Sequence, residues 1–133
     1  MNEFSWPVRI YYEDTDSGGV VYYANYLKFM ERCRTEWLRA LGFEQSDLRQ
    51  QGTIFAVRHI ALNYRLPARF NDTLTVTARL SRLGRASVDF YQTVHRNQTI
   101  LCDGEVKVAA LDPDSFKPRP LGATLQSRLQ EVL

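Results

Sequence analysis

Residues 7–13 read PVRIYYE, and Val8, Ile10 and Tyr12 alternate with Arg9, Tyr11 and Glu13. A period of two predicts a half-buried strand. The period then lengthens. Tyr26, Met30, Cys33, Trp37 and Leu41 recur at steps of three and four, while Lys28, Glu31, Arg32, Arg34 and Arg39 mostly occupy the other directions. This is the stripe of an amphipathic helix of about five turns, stopped by Gly42. Ser46 as an N-cap and Gly52 just past the end predict a short second helix over residues 47–50. From Thr53 the period returns to two. Ile54, Ala56, Ile60, Leu62 and Tyr64 share one face, followed by Leu74, Val76, Ala78 and Leu80, then Val88, Phe90 and Val94, then Val106, Val108 and Ala110. Four strands follow the helix.

The breaks between these strands, LPARFND, RLGR and HRNQT, are short and carry the Pro, Gly, Asn and Asp of turns. They predict antiparallel hairpins between successive strands. Pro113, Pro118 and Pro120 end the sheet, and Leu121, Leu125 and Leu129 predict a terminal helix. One strand, one long helix and four antiparallel strands can bury the helix's apolar stripe only if the sheet curves around it. The expected class is therefore α+β, a five-stranded antiparallel sheet wrapped around one long central helix, as in the hot-dog fold. With 133 residues, 44% of them hydrophobic, the chain has the length and composition of one domain over residues 1–133, of which 113–133 form a proline-containing C-terminal tail.

Lys and Arg number 17 against 15 Asp and Glu, a net charge of +2. That balance gives no strong field for nucleic acid or an anionic membrane, so any recognition of anions must be local. Cys33 and Cys102 lack a CxxC or His spacing and read as buried free thiols of a reducing compartment. The N-terminal MNEFSWPVRI has neither a basic nor a long apolar region, and no apolar run reaches the length of a membrane span. A cytoplasmic protein without membrane insertion is expected.

Candidate chemistry concentrates at residues 14–26, DTDSGGVVYYANY, where two acids and a glycine pair precede the long helix. Asp14, Asp16 and Gly19 fall on positions 1, 3 and 6 of a calcium loop, but Gly18 stands at the fifth position and Asn25 at the twelfth, where a bidentate Glu is needed. No GxGxxG, GKS or GKT follows for a phosphate loop, and there is no GxSxG elbow. His59 and His95 are isolated in alternating segments, and no ligand spacing for a metal is present. Glycines admit close backbone approach, and the first amides of a helix are unpaired donors carrying partial positive charge. With Asp14 or Asp16 opposite them, a carbonyl held by those amides has a nucleophile or base in reach. Spacing alone accommodates equally well two acids that only cap the turn and the helix.

The run VRIYYEDTDSGGVVYYANYLKFMERCRTEWLRALGF, with NYRLPARFND and VKVAALDPDSFKPRPL, closely resembles YbgC-type acyl-CoA thioesterases of the 4-hydroxybenzoyl-CoA thioesterase family. The likeness covers nearly the whole chain, and YxDTDxGGxVYxxNY is far more specific than a DxD pair. The resemblance implies catalysis by the second acid, Asp16, and polarisation of the thioester carbonyl by the backbone N–H of Tyr23. Many YbgC-type sequences carry His at this place, whereas Tyr23 is similar to the hydroxybenzoyl-type members. Asp14 is assigned to loop structure and Glu31 to a solvated helix face. Ser17, Gly18 and Gly19 are candidates for contact with substrate, and Arg82 and Arg85, flanking Gly84, for the phosphates of CoA.

The implied activity is hydrolysis of an acyl-CoA thioester to free acid and CoA, with no metal and no organic cofactor. Asp16 would attack the carbonyl or activate a water that does. A homodimer or homotetramer is the implied assembly. A non-hydrolytic scaffold on the same fold, binding an acyl thioester or an acyl carrier protein, is the rival class. Retention of Asp16 beside the glycine pair favours the enzyme.

Overall fold

A computed structural model describes residues 2–133. The first strand, β1, spans Glu3–Arg9 and directs Phe4, Trp6 and Val8 toward the interior. It thus starts earlier than the alternation at residues 7–13 predicts, and it ends sooner. Tyr12–Asp14 close into a 3-10 turn, because the Asp14 carboxylate accepts the Tyr11 N–H at 2.9 Å. Tyr12 is left exposed rather than half-buried. Pro7 is tolerated because β1 lies at an edge of the sheet, where one side of the strand needs no donors.

Helix α1 runs Asn25–Ala40, about 24 Å by its rise per residue. Tyr26, Phe29, Met30, Cys33 and Trp37 form its buried stripe, and Gly42, at φ 98°, turns the chain away. Helix α2 covers Gln45–Gln50 and anchors through buried Leu48. It begins before the expected residues 47–50, so Ser46 is a helical residue and not the cap. Glu44, extended at φ −106° and ψ 135°, occupies the cap position without a side-chain bond.

Strands β2 (Ile54–Tyr64), β3 (Thr73–Leu83), β4 (Ser87–Arg96) and β5 (Thr99–Leu111) complete an antiparallel sheet in the order β1-β3-β4-β5-β2. RLGR and HRNQT are hairpins as expected, whereas LPARFND is not. It carries the chain from β2, paired with β5, to β3, paired with β1. That is a crossing of three strand spacings, about 15 Å. Around α1 this gives the expected α+β hot-dog arrangement.

A bulge at Arg58 shifts the β2 register between Val57 and His59. Phe55 pairs with Ala110 and Val57 with Val108, while Ile60 pairs with Val106, so Phe55 and Val57 share the face of Ile60 and Leu62. Ile54 and Ala56, expected on that face, lie on the other. Gln92 occupies a core-facing place between Phe90 and Val94 and is fully buried. Its Nε2 donates to Met30 O at 3.1 Å and Thr77 O at 3.2 Å, and its Oε1 accepts Arg34 Nη1 at 2.9 Å. The core thus joins α1, β3 and β4 through one amide, with Trp37 meeting Phe90 edge-on nearby at 5.0 Å between centroids.

Helix α3 (Ala123–Glu131) docks through Leu121, Leu125 and Leu129, all buried. Cys33 and Cys102 are free thiols, and burial pushes both up to about 12. No helix among the described residues is long and apolar enough to cross a membrane.

On the sheet face away from α1, Asp103 accepts bonds from Arg65 at 3.0 and 3.1 Å, Tyr91 at 3.1 Å and Asn63 at 3.3 Å. Burial raises the Asp103 carboxyl, but these donors outweigh it and hold it below the usual carboxylate range. A carboxylate lowered on folding stabilises above its unfolded pKa and loses that contribution as pH falls through the folded value. Asp103→Asn should therefore lower the melting temperature at neutral pH, with the gap to wild type closing below the ordinary Asp range in pH-dependent melts. A side-chain carbon on Gly104, opposite Leu62, would collide with the Ala61 carbonyl. Gly104→Ala should cost about 1–3 kcal/mol in denaturant melts by pushing β2 off β5.

Candidate active site

The joint between β1 and α1 is built around two carboxylates with different surroundings. Asp14 is tied on both oxygens, one to Tyr11 N–H and the other to Asn25 Nδ2 at 3.0 Å, and its main-chain oxygen accepts the Tyr22 N–H at 2.8 Å. Asp14 therefore fixes the start of the helix to the end of the strand. Asp16 closes the next turn, donating its N–H to Val20 O at 2.9 Å and accepting the Gly19 N–H at 3.0 Å. Its Oδ1 accepts the Gly18 N–H at 2.8 Å, and no partner among the described residues holds Oδ2.

Each glycine has its own reason. Gly19 has φ 80°, which side chains rarely adopt, and a side-chain carbon on Gly18 would stand 3.2 Å from Asp16 Oδ1. Val21 N–H then bonds Ala68 O at 2.8 Å, fastening the turn to the β2–β3 crossover.

Helix α1 opens at Ala24 with no side-chain cap and no acid in its first turn. Its N-terminal partial charge is left uncompensated by any residue of the helix itself. Just before it, Tyr23 gives its carbonyl to the Tyr64 hydroxyl at 3.0 Å, and its N–H has no acceptor among the described residues.

Asp16 and Tyr23 line one open cleft of about 310 Å³, together with Val20, Val21, Tyr26, Tyr64, Arg65, Leu66 and Pro67. Tyr26 and Tyr64 meet edge-on at 5.5 Å, and the Tyr26 hydroxyl accepts the Ala68 N–H at 3.1 Å. Burial raises the pKa of both phenols, so they stay neutral. Arg65 reaches the cleft while Asp103 holds its guanidinium. The arrangement combines a carboxylate oxygen, an unpaired amide at a helix start and apolar walls. Those are the parts needed to hold a carbonyl and attack it.

Asp16, Gly18, Gly19 and Tyr23 are thus brought together. Ser17 is exposed beside Asp16, and its hydroxyl makes no hydrogen bond among the described residues. Glu31 is exposed on α1. Arg82 and Arg85 sit by the β3–β4 turn, at the opposite end of an 11-residue strand from the cleft, roughly 30 Å away. Within one chain they share no wall with Asp16. Tyr26, Tyr64 and Arg65 were not singled out as site residues by the sequence. Tyr26 and Tyr64 look like members of a core stripe and a strand face, and Arg65 like the first residue of a turn. Among the described residues no group of three or more His, Cys, Asp or Glu could hold a metal ion.

The family model of the Thioesterase superfamily matches residues 18–102. The Haemophilus influenzae protein named acyl-CoA thioesterase YbgC is 47% identical over 118 residues, covering 88% of this chain and 87% of its own. The Escherichia coli acyl-CoA thioester hydrolase YbgC is 41% identical over 129 residues, covering 96% of both chains. Among solved structures, one described as a "Probable Thioesterase" from Bartonella henselae superposes with a TM-score of 0.85 at 36% identity, covering 90% of this chain and 99% of its own. The DHNA-CoA thioesterase from Staphylococcus aureus reaches a TM-score of 0.94 at 22% identity, over 99% of this chain and 91% of that one, and speaks to the fold alone. The chain, matched by the family model over more than half its length and by relatives above 40% identity over most of it, belongs to the Thioesterase superfamily.

Proposed function

We propose that this protein hydrolyses an acyl-CoA thioester to a free carboxylic acid and CoA at the Asp16 cleft. One observation carries the reading: Asp16, whose Oδ2 has no partner among the described residues, and Tyr23, whose N–H has none, line the same cleft. The thioester carbonyl oxygen would accept the Tyr23 N–H, and the α1 terminus would stabilise the charge that grows on it. Either Asp16 Oδ2 adds to the carbonyl carbon, forming an acyl-enzyme anhydride that water opens, or it takes a proton from the water that adds. In both routes the C–S bond breaks and CoA leaves as the thiolate, to be protonated by solvent. The named activities of the YbgC relatives support this substrate class.

The enzyme works as a homo-oligomer in this reading. Edge strand β2 offers unpaired main-chain groups beside exposed Val57 and Tyr64, whereas edge strand β1 is blunted by Pro7. Pairing of β2 with a second copy covers that edge. We place the protein in the cytoplasm, where its two free thiols fit a reducing compartment.

Asp16→Asn keeps the size and the Gly18 bond while removing the charge. Turnover of acyl-CoA, read as released thiol, should fall by about 10²-fold or more, with KM and melting temperature little changed. Asp14→Asn should do the reverse, lowering the melting temperature by a few degrees for the loss of about 1 kcal/mol of bonding. A fully active Asp16→Asn protein, or one whose inactivity follows unfolding, would refute the reading. In sedimentation at micromolar concentration the active species should be a dimer or larger, and an active monomer would contradict the assembly.

A further inference from the structure

Tyr12 and Phe70 stack on the surface with ring centroids 3.7 Å apart and planes 7° from parallel. Both are exposed, Tyr12 by 74% and Phe70 by 40%. Face-to-face overlap is not the arrangement aromatic pairs prefer, since it opposes like faces of the two quadrupoles. The backbone holds the rings in place. Asp14 fastens the turn that carries Tyr12. Asp72 fastens the turn that carries Phe70, accepting Arg69 N–H at 2.9 Å and Arg96 Nη1 at 2.8 Å. Ile10 N–H to Asp72 O and Asn71 N–H to Ile10 O, both 2.9 Å, join the two turns. Asn71 completes the second turn at φ 72°, a region that non-glycine residues seldom occupy. The result is a rigid aromatic plate with Tyr12 turned largely to water.

The plate borders the cleft. Leu66 and Pro67 belong to the cleft wall, Ala68 holds the Val21 N–H, Arg69 bridges Val20, and Phe70 follows. Tyr12 precedes Asp16 by four residues, which limits their separation to about 14 Å. The Arg69 side chain forms no ion pair among the described residues. Arg9 Nη1 is oriented at 3.2 Å by Asn71 Oδ1 at the margin of the plate. A flat aromatic surface accepts any nucleobase by its π-face, and guanidinium groups take phosphates through forked bonds.

We propose that Tyr12 and Phe70 form the stacking platform for the purine base of the CoA nucleotide, with Arg69 taking its phosphates. The proposal rests on the acyl-CoA reading of the cleft. It gives the nucleotide a place on the same chain and at the same end of the sheet as Asp16, which Arg82 and Arg85 do not provide.

The test compares one acyl group carried on CoA with the same group on pantetheine, which lacks the nucleotide. In Tyr12→Ala and Phe70→Leu the ratio of KM for acyl-CoA to KM for acyl-pantetheine should rise about five- to tenfold, the low end of base-stacking losses for an exposed site. Tyr12→Phe keeps the π-face and should keep the wild-type ratio. Arg69→Ala should raise the same ratio and flatten its dependence on salt. An unchanged ratio in the Ala and Leu variants overturns the platform while leaving the thioesterase reading intact. A change in oligomeric state with an unchanged ratio does the same and assigns the plate to a protein contact. Failure of the wild type to cleave either thioester overturns the thioesterase reading. The platform is then decided by calorimetric titration with adenosine 3′,5′-bisphosphate. Saturable binding that weakens in Tyr12→Ala sustains it, and no binding to the wild type overturns it.

Discussion

The double tie of Asp14 is the constraint on which the site depends. One carboxylate joins the end of β1 to the first residue of α1 through Tyr11 and Asn25, and its main-chain oxygen holds Tyr22. The tie sets the distance between strand and helix, and hence where Asp16 and Tyr23 stand along the one cleft they line. A helix that opens without a cap keeps its N-terminal field available to a ligand. The lack of a side-chain cap is tolerable because α1 draws its stability from burial against the sheet, not from its ends.

The second constraint is the β2–β3 crossover. By passing from the edge strand β2 across to β3, beside the opposite edge, residues 65–72 meet the Asp16 turn and hold it through Ala68 and Arg69. They also supply the cleft wall. A hairpin at this place would have left the turn unsupported and the carboxylate free to swing. Rigidity at the site thus comes from main-chain bonds between loops, with Gly18 permitting the close approach of Asp16 and Gly19 the turn's positive φ.

Much of this was legible in the residues. The stripe Tyr26, Met30, Cys33, Trp37 fixes α1 because a period near 3.6 has one structural meaning over that length. The cores of β3, β4 and β5 follow for the same reason at period two. The face of β2 was not legible on both sides of Arg58, since a bulge changes parity without leaving a Gly or Pro to mark it. Strand order escaped as well, because LPARFND has the length and residue types of a hairpin turn and only pairing across the whole sheet makes it a crossover. Gln92 was invisible as a core residue, for its place there depends on Met30 O and Thr77 O lying within reach of one amide. The Asp16 turn stood out from its glycines and acids, but the neighbours that complete the cleft, Tyr64 and Arg65, depend on the crossover and could not be seen before it.

The strand order also bears on how the chain is made. Both edges of the sheet, β1 and β2, are encoded in the first half, while β3, β4 and β5 form a contiguous hairpin meander in the second. During synthesis from the N-terminus β1 emerges long before its partner β3, and β2 must wait for β5, whose residues come 38 positions later at the Tyr64–Cys102 pair and 57 later at the Ile54–Leu111 pair. The nascent chain therefore carries two unpaired strands and the apolar stripe of α1 until the meander leaves the ribosome, a vulnerable interval that gives a holding chaperone something to bind.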